Sequence, residues 1–169
     1  MSSSVTLRPI GRGDLDRIER INTANVPEVG AADLHRLSFL VDESAIAIAA
    51  ENADEVVGFC LVLGPGSSYD SVNYRWFAER YPSSMYLDRV AFDASVRGRG
   101  FGTTLYDHVD RIIRSEFDGV DGLALEVNVD PPNEPSLRFH DRLGFREVGR
   151  QMSHGIEVSL MHRPIATDS

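Results

Sequence analysis

"VRGRGFGTTLYDHVDRII", residues 96–113, sets Gly98, Gly100 and Gly102 at alternate positions, interleaved with arginines, ahead of a helical pattern. Phe101, Leu105, Val109, Ile112, Ile113 and Phe117 fall on one side of a 3.6-residue period, which predicts a long helix over residues 101–117. A helix N-terminus carries about half a positive charge and several unpartnered N–H groups, and glycines leave that backbone unobstructed. The stretch therefore suits a phosphate. Arg97 and Arg99 add charge, and no acidic residue lies between Ser95 and Thr104. A tight strand-to-helix turn without a ligand would explain the glycines, but not the arginines beside them. The spacing G-x-G-x-G differs from the dinucleotide fingerprint G-x-G-x-x-G, and no acidic residue is placed to read a ribose. With no lysine among the 17 cationic residues, a P-loop and a Schiff-base lysine are both excluded.

Upstream of this stretch, "MYLDRVAFD" reads as a strand, and downstream "LALEVNV" alternates Leu123, Leu125, Val127 and Val129 against Ala124, Glu126 and Asn128. "EPSLRFHDRLG" follows as a short helix ending at Gly144, and "FREVGRQMSHG" and "IEVSLMHRPI" as two strands, expected to be antiparallel. Toward the N-terminus, "VTLRPI" predicts a strand, and Leu15, Ile18 and Ile21 a helix with Asp14 as N-cap. A second helix follows with Leu34, Leu37 and Val41 on one face. "SAIAIAAEN" and "EVVGFCLVLG", joined by "NADE", predict a hairpin. The aromatic segment 65–84 is too long for an ordinary connection and is expected to form a substrate-side loop with a short helix, a candidate lid.

A chain of 169 residues with 42% hydrophobic and 25% charged residues is expected to form a single domain, residues 1–169. A formal net charge of -9 opposes nucleic acid and anionic lipid as partners, because both need clustered cations. "MSSSVTLRPI" lacks a basic segment followed by an apolar one, and no apolar run approaches the roughly 18 residues of a membrane span. A cytoplasmic location is the expectation. Cys60, the one cysteine, lies in an apolar run and reads as a core residue. His35, His108, His154 and His162 show no metal-ligand spacing, so no metal is expected.

With R-x-x-G-x-G at Arg97, Gly100 and Gly102, a further glycine at Gly98, then "LALEVNV", Asn133 and "HDRLGF", the sequence resembles the GNAT superfamily of acyl-CoA-dependent N-acyltransferases over residues 5–165. The resemblance implies an α+β, three-layer fold with a central mixed, splayed sheet flanked by helices. It implies acetyl-CoA as cosubstrate, its pyrophosphate on the main chain of Arg97, Gly98, Arg99, Gly100, Phe101, Gly102 and Thr103, and its pantetheine arm near Val90, Phe92 and Asn133. The "VNVDPPN" run places Asn133 two residues later than the commoner family spacing.

Acyl transfer to an amine needs a base for the nucleophile's proton and a donor for the leaving thiolate. Glu126 points opposite to the leucines of its strand, into solvent or a cleft. The resemblance implies it as general base, as in some relatives. The usual donor is a tyrosine four residues before the final glycine, a position filled here by His140, whose ordinary pKa of ~6.5 permits either protonation state. Asp88 is the rival base; simple alternation places it on the side of Val90 and Phe92. Tyr69, Asp70, Asn73 and Tyr74, with Asp88, are the candidate acceptor contacts. The activity so implied is transfer of an acetyl group to a primary amine of a small molecule or peptide; the alternative is a non-catalytic acyl-CoA-binding sensor. Because similar proteins are often dimers, the resemblance also raises a homodimer as a partner.

Overall fold

The computed structural model describes residues 4–166. In chain order, strand β1 (Thr6–Pro9) leads into helices α1 (Leu15–Ala24) and α2 (Leu34–Glu43), and then into the hairpin β2 (Ile46–Asn52) and β3 (Glu55–Leu63). Ala53 and Asp54 close that hairpin with φ of 52° and 63°, the left-handed pair that a two-residue hairpin turn requires. Helix α3 (Val72–Arg80), strand β4 (Ser84–Phe92), helix α4 (Phe101–Glu116), strand β5 (Gly122–Asp130), helix α5 (Glu134–Arg142) and the pair β6 (Arg146–Ser153) and β7 (Ile156–Pro164) complete the described chain.

The seven strands form one sheet in the order β1-β2-β3-β4-β5-β7-β6. Every neighbouring pair is antiparallel except β4 with β5. The inner strands are apolar on both faces, and each face of the sheet has its own core. Ile18, Ile21, Leu37, Leu40, Tyr74 and Phe77 from α1, α2 and α3 cover one face, against Phe59, Tyr86, Ala124 and Leu160. Leu105, Val109 and Ile113 of α4, with Leu137 and Phe139 of α5, cover the other, against Cys60, Leu87, Leu125 and Phe145. Helix–sheet–helix layering follows from a sheet that is apolar on both sides.

Two local expectations change and one holds in part. In α2 the core takes Leu37 and Leu40, while Leu34 is 39% exposed. The buried stripe is therefore one turn narrower than predicted. Asp14 does hold the N-cap position of α1 but gives that helix no side-chain cap; it ends a 3₁₀ turn, where its carboxylate accepts from Gly11 N at 2.7 Å and pairs with Arg8. The segment 65–84 is dominated by α3, whose Tyr74 and Phe77 are core residues and whose Trp76 lies against Gly149 of β6, where any side chain would collide with the indole. This helix is packed and is no free lid.

The parallel pair controls the site. β4 and β5 are in register only at Ser84, Met85 and Tyr86 against Gly122, Leu123 and Ala124. Beyond that, β4 remains paired to β3 as far as Phe92 and β5 to β7 as far as Asp130, so the two strands part and leave a cleft. β4 also carries a bulge: Leu61 faces Arg89 while Val62 faces Leu87, leaving Asp88 as the extra residue. The extra residue breaks simple alternation. Tyr86 and Asp88 point to the α1–α3 side and Arg89 follows them, whereas Val90 and Phe92 pack with the opposite core. The expectation that Asp88 shares a face with Val90 and Phe92 is thus corrected.

Candidate active site

At one end of the cleft, Asp93 caps a short turn through Ser95 N, and the chain passes through Arg97–Gly100 into α4. Gly98 and Gly100 have φ of +77° and +79°, a region that disfavours side chains, and a Cβ at either would meet nothing within 4 Å. The cradle above them is open. Thr104 N reaches back to Gly100 O at 3.2 Å, so the N–H groups of Phe101, Gly102 and Thr103 begin the helix without intrahelical partners. No acid occupies the first turn. This arrangement fits a pyrophosphate. The glycines differ in purpose, however: a Cβ at Gly102 would lie 3.2 Å from the Phe139 ring, so Gly102 brings α4 against α5.

The remaining expected coenzyme contacts are placed less simply. Arg97 donates to Asn25 Oδ1 at 2.7 Å, and Arg99 lies over the buried Phe101 ring at 4.9 Å. Val90 and Phe92 lie on the part of β4 that faces no β5 partner. Phe92 O already accepts from Asn25 Nδ2 at 3.2 Å. Asn133 is the N-cap of α5, its Oδ1 accepting from Ser136 N at 3.4 Å, so its oxygen is used in the fold.

On the α1–α3 face of the cleft two carboxylates stand on neighbouring strands. Glu126 accepts from the Tyr86 hydroxyl at 2.5 Å and is also hydrogen-bonded by Asn73. Burial pushes its pKa up to about 8; the charge of Asp88 adds to this, while the Tyr86 and Asn73 hydrogen bonds and the more distant Arg89 oppose it. Asp88 accepts from Tyr69 Oη at 2.7 Å and from Arg89 Nε at 2.9 Å. Arg89 is itself buried and donates to Asn22 Oδ1 and Gly30 O, both at 3.0 Å. Asp88 is thus charge-compensated and Glu126 is held by neutral donors.

Three expected site residues are not brought to the cleft. His140 is buried among Tyr106, Phe139 and Phe145. Its Nδ1 lies 2.8 Å from Ser136 O, a geometry that puts the proton there, and its Nε2 accepts from Tyr106 Oη at 2.6 Å. Desolvation pulls its pKa down to about 4, so the ring is neutral, its one proton is engaged with Ser136 O, and it does not stand in the cleft where the expected thiolate donor would. Tyr74 is a core residue whose hydroxyl bonds to Gly64 O and Ser67 N. Asp70 is exposed and pairs with Arg36 at 3.2 Å. Tyr69 and Asn73 do reach the carboxylates.

Sequence reading missed Tyr86, Arg89, Asn22 and Gln151, the last of which donates to Asn73 Oδ1 at 2.7 Å. A buried Arg directly after Asp88 was the one available signal, since a lone arginine in an apolar strand requires a partner.

Residues 15–145 match the model of the acetyltransferase (GNAT) family, and the chain belongs to that family. The peptidyl-lysine N-acetyltransferase YjaB of Salmonella typhimurium is 26% identical over 120 residues, covering 70% of this chain and 63% of that relative, so less than two thirds of it is spanned. Among solved structures, Ard1 from Thermoplasma volcanium superposes with a TM-score of 0.77 at 20% identity, covering 96% of this chain and 98% of that one. Arabidopsis thaliana NAA60, solved with acetyl-CoA, gives 0.73 at 21% identity over 96% and 99% of the two chains. The spermidine N-acetyltransferase of Vibrio cholerae, solved with CoA and spermine, gives 0.70 at 19% identity over 97% of each chain. At such identities these likenesses establish the α+β fold with its mixed, splayed sheet. No described helix is long and apolar enough to cross a membrane.

Proposed function

We propose that this chain transfers an acetyl group from acetyl-CoA to a primary amine of a small molecule or peptide, by direct attack within a ternary complex. The observation that carries the reading is the parting of β4 and β5 after Tyr86 and Ala124, with the open α4 N-terminus at one end and Glu126 in the wall. The main-chain N–H groups of residues 101–103 hold the pyrophosphate, and the unpaired edge of β4 at Val90 orients the pantetheine arm. Bound acetyl-CoA supplies the thioester. Glu126, when ionised, takes one proton from the incoming ammonium, which frees the nitrogen lone pair to form the C–N bond. As the C–S bond breaks, the second proton shed by the acylated nitrogen goes to the departing sulfur, so the products are the amide, the free thiol and protonated Glu126. A carboxylate with a pKa near 8 is matched to an amine at neutral pH far better than an ordinary glutamate.

The acceptor class remains amine: the matched relative's name points to peptidyl lysine, and one structural neighbour holds spermine. The burial of His140 favours a second reading, an acyl-CoA sensor without turnover, since it removes the expected proton donor. Calorimetric titration of acetyl-CoA, followed by free-thiol release over pooled amines and peptides, separates the two. Acceptor-dependent release establishes transfer; binding with no release from any pool supports the sensor. Gly100→Glu places bulk and negative charge in the cradle and should abolish binding; unchanged affinity would overturn the pyrophosphate assignment.

A further inference from the structure

The hydroxyl partner of Glu126 comes from one place in the sheet. Tyr86 stands opposite Ala124 on the last rung of the β4–β5 ladder, and Glu126 lies two residues further along β5 on the same face. A tyrosine at that rung reaches diagonally across the fork, and the small side chain of Ala124 leaves its ring room to do so. The ring is 1% exposed and is wedged edge-on against Tyr74 at 5.6 Å and tilted on Phe77 at 6.0 Å. Its hydroxyl is therefore the one part of Tyr86 that meets a polar group of the cleft.

We propose that Tyr86 is a positioning residue for Glu126, fixing the carboxylate at the fork and favouring its ionised form through a short hydroxyl-to-carboxylate hydrogen bond. This rests on the reading of Glu126 as the base. A separation of 2.5 Å lies at the short end for O–H donors to carboxylates, where such bonds are strong. The surroundings give the bond its weight. From β4, Asp88 and Arg89 face Glu126 as a compensated pair; from α3 comes the neutral Asn73; and Tyr69, from the preceding loop, is spent on Asp88. From β7, the neighbour across from Glu126 is Leu160, which is apolar. With no cation bonded to Glu126 among the described residues, its ionisation depends on neutral donors, and Tyr86 is the nearest. Burial and the adjacent carboxylates raise the Tyr86 phenol well above its ordinary value, so it remains a donor while Glu126 ionises.

The test is the titration of Glu126 in the full chain carrying carboxyl-¹³C glutamate, its resonance assigned by its absence in Glu126→Gln, alongside kcat/KM against pH at saturating acetyl-CoA. In Tyr86→Phe the midpoint should move upward by about one to two pH units, with the kinetic limb following and acetyl-CoA affinity unchanged. A midpoint that stays at the wild-type value overturns the proposal. If Tyr86→Phe does not fold, 3-fluorotyrosine placed at Tyr86 keeps the shape and strengthens the donor, so the midpoint should move downward; no movement again overturns it. Retention of the kinetic limb in Glu126→Gln would instead remove Glu126 as the base, while the NMR titration still reports on the hydrogen bond.

Discussion

Asp88 and Glu126 face the same cleft from adjacent strands, yet their surroundings differ in kind. Asp88 lies against a buried guanidinium anchored to α1 and to the loop before α2, and it receives the Tyr69 hydroxyl as well. Among the described residues, Glu126 receives the neutral donors Tyr86 and Asn73. A carboxylate held by a cation is a poor proton acceptor, whereas one destabilised by burial takes a proton readily. The contrast separates structure from chemistry: Asp88 ties three elements together, and Glu126 is left to titrate.

The kinetic pair breaks this contrast most directly. Glu126→Gln should lower kcat by about 10²- to 10⁴-fold without changing acetyl-CoA affinity, while Asp88→Asn should leave kcat within about tenfold, measured by thiol release. The reverse ranking would exchange the two roles. Next in size, Arg89→Met leaves Asp88 buried without its cation and should cost about 3–5 kcal/mol in urea unfolding. A loss below about 1 kcal/mol would mean that water reaches Asp88.

A smaller effect comes from pH. The pKa of Glu126 is raised from an ordinary 4.5 to about 8, so between those values the folded protein holds a proton that the unfolded chain has released. Its contribution to stability is intact below about pH 4.5 and is lost as pH rises through about 8. Glu126→Gln should therefore raise Tm more at pH 9 than at pH 5, by a few degrees; an equal shift at both would contradict the raised value. Smallest is Tyr69→Phe, which removes one of two donors to Asp88 and should cost about 1 kcal/mol by the same urea measurement.

Features encoded within one segment were legible in the sequence. The α4 stripe, predicted to residue 117, ends at Glu116; the alternation of "LALEVNV" became β5, and the "NADE" turn closed a hairpin. Features that exist only between segments were not. The bulge at Asp88 is a mismatch of count between β3 and β4, so the facing of Asp88 could not be read from β4 alone. The Tyr86–Glu126 bond depends on the register of two strands separated by a whole helix. His140 was judged from its place in α5, but Tyr106 on α4 decides its chemistry. Tyr69 and Tyr74 stand five residues apart in one aromatic run; only the docking of α3 assigns one to Asp88 and the other to the backbone of Gly64.

The brief β4–β5 ladder has a mechanical consequence. Three residues on each strand join a four-stranded half, β1 to β4, to a three-stranded half, β5 to β7, like covers meeting at a spine. A molecule lying along the parted edges would act as a clasp, touching both covers far from the spine. Coenzyme affinity and the rigidity of the two halves are then one quantity seen from two sides. On the proposed function, acetyl-CoA in the cleft should slow amide exchange across both covers, and loosening the spine should weaken its binding.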